Sequence, residues 1–179
     1  MRFDINNPAF LQESGSAGKS KSVMTLFSSR EEYIYFGLSV VGTGEVTYKN
    51  IQGEDVKVML HDGNNSLAIK TQPLPSGQIV IKANVVSFFA EDESVSELLN
   101  ELDISKCKSL NNFDLGEPRF SSLVSLTMKA DKEALSQQMA SLIENSNGSG
   151  CLLRLVNNQP YNELMEDAAS VQEWQVEYI

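Results

Sequence analysis

From residue 33 to residue 89 apolar and polar residues alternate, and small turn-forming residues interrupt the alternation at short intervals. A period of two puts successive side chains on opposite faces, so this stretch must build a sheet with one buried face. Ile34, Phe36, Leu38 and Val40 set the pattern, and Gly42-Thr43-Gly44, Gln52-Gly53, Asp62-Gly63 and the segment 73–77 punctuate it. Gly and Asp tolerate positive φ and favour hairpin turns, so each interruption reads as a reversal. The expectation is an antiparallel meander of about five strands, a sheet or small barrel. Its inward residues are Val46, Val56, Val58, Leu60, Leu67, Ile69, Ile79, Ile81 and Val85.

The character changes at Glu91. Ser94 reads as the cap of a short helix, with Glu97 as its capping-box partner and Val95, Leu98, Leu99 and Leu102 as the buried stripe. Residues 105–118 read as an irregular surface connection. A strand over 123–129, a helix from an Asp131 cap to about Asn145 and a strand over 151–156 form a β-α-β unit. That helix buries Ala134, Leu135, Met139, Leu142 and Ile143. A short helix over 162–169 and an alternating end follow, the latter read as an edge strand with Trp174, Val176 and Tyr178 on one face. No internal repeat of fixed period is visible. The fold class is therefore α+β: an N-terminal arm and linker (1–22), the meander (23–90) and a smaller acidic β-α-β lobe (91–179) packed on it as one structural domain. Residues 23–27 are too short a run to assign.

Charge divides the chain in the same place. Residues 1–90 hold eight carboxylates and eight Lys or Arg, residues 91–179 hold sixteen and six, and the formal net charge is −10. A field of that sign repels nucleic acid and attracts basic surfaces. The start of the chain lacks a charged-then-apolar leader, and no apolar run approaches the ~20 residues that cross a bilayer, which points to a cytoplasmic protein away from membranes. Cys107 and Cys151 are isolated and read as reduced thiols.

Catalytic chemistry finds no foothold. Residues 15–20, Gly-Ser-Ala-Gly-Lys-Ser, share Gly-Lys-Ser with phosphate-binding loops, but Glu13 stands where the first glycine belongs and no strand precedes it. His61, the single histidine, sits beside a turn with no marked nucleophile. One histidine and two separated cysteines make no metal site, and Glu91-Asp92-Glu93 lacks the spacing of a calcium loop. No catalytic residue, metal or cofactor is assigned, and the reading is non-enzymatic.

Two surfaces remain as candidates. Glu91, Asp92, Glu93, Glu163, Glu166 and Asp167, with Trp174 and Tyr178, form the binding set of an acidic protein that contacts a basic partner protein. An inhibitor that presents carboxylates to a nucleic-acid-binding surface is one form of it. The alternative is a single-stranded nucleic-acid-binding face of Tyr33 and Tyr35 with Lys49, Lys57, Lys70 and Lys82. With the acidic, aromatic C-terminal segment, that arrangement resembles single-strand-binding proteins of phage and bacterial type, at the level of layout alone. A third possibility is a structural subunit that assembles through the edge at Trp174, Val176 and Tyr178.

Overall fold

The computed structural model describes residues 21–28, 31–73, 77–147 and 150–179. The N-terminal arm, all but the end of the linker, and the Gly-Lys-Ser segment lie outside them. Among the described residues ten strands form one mixed sheet: β1 (Ser22–Ser28), β2 (Tyr33–Lys49), β3 (Asp55–Leu60), β4 (Gly63–Lys70), β5 (Gln78–Ala90), β6 (Leu99–Asp103), β7 (Asn112–Asp114), β8 (Ser125–Met128), β9 (Leu152–Leu155) and β10 (Gln175–Tyr178). The helices among the described residues are α1 (Ser94–Leu98), α2 (Glu133–Glu144) and α3 (Asn162–Val171). None is long and apolar enough to cross a membrane.

The antiparallel half is a bent hairpin rather than a plain meander. Strand β2 runs unbroken for 17 residues through Gly42-Thr43-Gly44, which was expected to turn the chain. Its first half pairs with β4 and its second half with β3, so β3 and β4 lie end to end along one side of it. Asp62-Gly63 is likewise a kink between them rather than a reversal. The Asp62 carboxylate accepts the Gly42 amide at 2.7 Å across the two interruptions, and Asn65 bonds the His61 backbone through both ends of its amide. Turn chemistry at these positions bends a paired hairpin because each interruption faces the other and leaves the ladder intact on both sides.

The bend curls the sheet back on itself. The Gln72 side chain reaches the carbonyl of Ile51 at 2.9 Å, which ties the end of β4 to the β2–β3 turn. Strand β5 inserts between β1 and β2, so sheet order departs from chain order. The unassigned run 23–27 is β1, which joins the two halves by pairing β5 on one side and β6 on the other. Its strict burial alternation, with Met24 and Leu26 fully inside, is the period-two signal at a length too short to read alone.

Beyond β1 the sheet is parallel. Strands β6, β8, β9 and β10 add in one direction at constant register, with Leu102, Leu126, Leu153 and Val176 at one level. Leu99-x-x-Leu102-x-Ile104 and Leu123-x-x-Leu126-x-Met128 are matched by Leu153-x-Leu155. The aligned positions recur at unequal intervals along the chain, so no single fixed period runs through them. The expected β-α-β unit is β8-α2-β9, and α3 leads on to β10.

Three further corrections concern local signals. The segment 105–118 is not a plain surface connection: Cys107, Leu110, Phe113 and Leu115 are buried in the core, and β7 pairs with β5. The ring of Phe113 stacks on Phe88 at 4.5 Å between centroids and leans on Phe120 at 6.4 Å. Ser94 does not cap α1; the Asp92 carboxylate accepts the Ser94 amide at 2.8 Å, and the Ser94 hydroxyl oxygen accepts the Tyr35 amide at 2.9 Å. Helix α2 follows Lys132 with no side-chain cap, so Asp131 does not serve it, and Ala140 rather than the exposed Ala134 joins its buried face.

Candidate functional site

Where β2 begins, Tyr33 and Tyr35 leave the sheet on its outer face, because the alternating Ile34 and Phe36 are fully buried. The two rings stack with centroids 5.8 Å apart, and both are more than a third exposed. Lys70, opposite Tyr33 on β4, holds its ammonium 5.6 Å from the Tyr33 centroid. Burial, and then the neighbouring Tyr33, raise the Tyr48 phenol above its ordinary pKa. The curl of the sheet thus brings the two ends of β2 within electrostatic reach.

The corner between β5 and α1 closes one side of these rings. The Glu91 amide donates to the Tyr35 carbonyl at 3.0 Å and the Ser94 hydroxyl takes the Tyr35 amide, so the corner is bonded to the tyrosine strand at consecutive backbone groups. The result is a hollow of about 500 Å3 lined by Tyr33, Tyr35 and Lys70 with Glu31, Glu32, Asp92, Glu93 and Glu97. A second hollow, of about 520 Å3, shares Asp92, Glu93 and Glu97 and adds Glu91, Glu117 and Arg119. The Glu91 carboxylate accepts the Ser66 hydroxyl at 2.6 Å. Among the described residues, five carboxylates against one lysine around two exposed aromatic faces suit a cation: the ring quadrupole and the carboxylates both attract positive charge.

The structure therefore joins parts of two surfaces that the sequence kept separate. Tyr33 and Tyr35 share a hollow with Asp92 and Glu93, whereas Glu163, Glu166 and Asp167 lie on α3, beyond β1, β6, β8 and β9 in sheet order. The four lysines do not gather around the tyrosines. Lys49 pairs with Asp55 at 2.8 Å and Lys57 with Glu45 at 3.6 Å, and both line a separate groove of about 720 Å3 with Tyr48, Val56 and Val80. Lys82 is exposed on β5 at the register of Glu45. Trp174 is buried at 6%, which withdraws it from any contact surface, while Val176 and Tyr178 on β10 are exposed.

Glu31, Glu32 and Glu97 were missed. The first two stand beside Tyr33 in the chain, a signal in plain sight; Glu97 comes close only through the fold. His61 keeps its Nδ1 at 2.8 Å from the Asp62 carbonyl on an exposed kink. Among the described residues no group of three or more His, Cys, Asp or Glu could hold a metal ion. Comparison of the chain with protein-family models, with curated proteins and with solved structures finds no match.

Proposed function

We propose that this chain is a non-enzymatic, acidic binding protein and that its site is the tyrosine hollow, which receives Lys or Arg side chains from a basic segment of a partner protein. The observation that carries the reading is the meeting of two stacked, exposed tyrosines with five carboxylates from three stretches of chain, 31–32, 92–93 and 97. A guanidinium can lie on a tyrosine face while its N–H fork bonds a carboxylate, so aromatic and acidic groups act on one side chain together. A partner whose basic surface normally holds nucleic acid would be inhibited by such contact.

The test is titration of a fluorescent arginine-rich peptide and a single-stranded oligonucleotide into the protein at low and moderate salt. The peptide is expected to bind with affinity that falls as salt rises, and to bind about tenfold more weakly when Glu31, Glu93 and Glu97 are changed to Gln. Oligonucleotide binding without peptide binding would transfer the site to single-stranded nucleic acid, with Tyr33, Tyr35 and Lys70 as its contacts. Assembly through β10 is a separate reading, supported by Val176 and Tyr178, which lie at the register of the buried Leu153 and Leu155 yet stay exposed. It predicts concentration-dependent mass that is lost on changing both to Ser.

A further inference from the structure

Cations are scarce after residue 90, yet four of the six, Lys106, Lys108, Lys129 and Lys132, follow the C-terminal ends of β6 and β8. In sheets of parallel strands that edge is where ligands bind, since the loops leaving the strands converge there. The edge holds a cavity of about 280 Å3, lined by Ser105, Cys107, Lys108, Lys129, Asp131 and Lys132 among others. The Lys132 ammonium donates to the carbonyls of Lys108 and Leu110, which fixes its position and leaves one N–H unused. Lys106 and Lys108 form no ion pair among the described residues, and Lys129 pairs with Asp131 at 3.3 Å. The neighbouring Asp103 carboxylate is turned to the amide and hydroxyl of Ser105, at 2.9 and 2.7 Å.

We infer that this cavity binds a phosphate-type anion, free or at the end of a small phosphate ester. Three lysines face one carboxylate inside it, the amide end of the 12-residue α2 opens beside it without a side-chain cap, and its volume suits a phosphate with a short organic group. The site is independent of the tyrosine hollow in charge and in place. Glu97 and Leu98 line the hollow just before β6, and Ile104 and Ser105 line the cavity just after it, so the two sites stand at opposite ends of one strand.

The experiment is amide NMR of the full chain titrated with inorganic phosphate, with O-phosphoserine and with chloride at matched ionic strength. Saturable shifts confined to residues 104–108 and 129–135 are expected for the phosphates alone, at least about tenfold weaker in Lys108→Gln/Lys129→Gln. Both lysines are exposed enough that this pair leaves the fold intact, unlike Lys132, whose carbonyl bonds hold the loop. Tighter binding of O-phosphoserine assigns the site to an ester, and equal binding to the free ion. Shifts that chloride reproduces, that persist in the double variant, or that fail to appear overturn the inference.

Discussion

Gly44 on β2 lies directly against Ala83 on β5: a Cβ on Gly44 would meet the Ala83 side chain and stand 2.6 Å from the Lys82 carbonyl oxygen. The contact sits where the β2–β5 register slips, between Val41 and Glu45, and where the other neighbour of β2 changes from β4 to β3. Close backbone approach is what lets one strand serve both arms of the bend. Gly44→Ala is expected to lower stability by about 1–3 kcal/mol through overpacking against main-chain atoms that cannot swing aside. Gly42→Ala should cost about 1 kcal/mol, from strain at φ +81° with open space around it. Urea unfolding midpoints at unchanged slope measure both, and a Gly44→Ala protein as stable as wild type would remove the contact from the account.

These glycines also mark the limit of what could be read from the chain. Period two located Ile34, Phe36, Leu38, Ile79 and Ile81 in the core, because burial of one face is a local property of alternation. Turn chemistry was ambiguous: Gly42-Thr43-Gly44 and Asp62-Gly63 can reverse a strand or kink it, and only pairing with a distant partner decides. Phe113 looked like loop because its stacking partners, Phe88 and Phe120, come from other segments. The candidate site divided in the same way. Glu31 and Glu32 beside Tyr33 were legible, whereas Asp92 and Glu97 come beside the tyrosines because Glu91 and Ser94 hydrogen-bond the Tyr35 backbone, which no local pattern announces.

Cys107 supplies a pH test of the β1–β6 seam. Its thiol donates to the Val23 carbonyl at 3.2 Å, and burial, with Asp103 adding and Lys132 opposing, pushes its pKa up to about 12. The folded state therefore keeps a proton that the unfolded chain releases near pH 9. This contribution is full below pH 9 and is lost as pH rises from 9 toward 12, at no more than about 1.4 kcal/mol per pH unit. Cys107→Ala should flatten that part of the stability curve relative to wild type, measured by urea unfolding at pH 8, 9 and 10. Equal slopes in the two proteins would contradict a buried, protonated thiol.

Trp174, the one tryptophan, is buried between α3 and β10, and its amide donates to the Ala169 carbonyl at 2.9 Å. Its fluorescence should be blue-shifted in the native protein and move to the red on unfolding. Trp174→Ala is expected to destabilise by about 3–5 kcal/mol through the cavity it leaves, and Trp174→Phe by less. A native emission spectrum like that of the unfolded chain would return Trp174 to the surface.

Lys70 discriminates between the two readings of the tyrosine hollow, because they assign it opposite roles. Its ammonium already occupies one face of Tyr33 and, among the described residues lining the hollow, is the single cation beside five carboxylates. If the hollow receives Lys or Arg from a partner, Lys70 competes for the ring and repels the incoming charge. Lys70→Gln should then tighten binding of an arginine-rich peptide about two- to fivefold, the scale of one exposed cation–π contact near 0.5–1 kcal/mol. If the hollow instead takes single-stranded nucleic acid, the same change removes a phosphate contact, weakens binding and lowers its salt dependence. Lys82→Gln, which changes net charge equally on β5 across β2 from β4, reports how much of either effect is long-range. Peptide affinity that rises for Lys70→Gln and much less for Lys82→Gln identifies the carboxylate-ringed tyrosines as a local cation site.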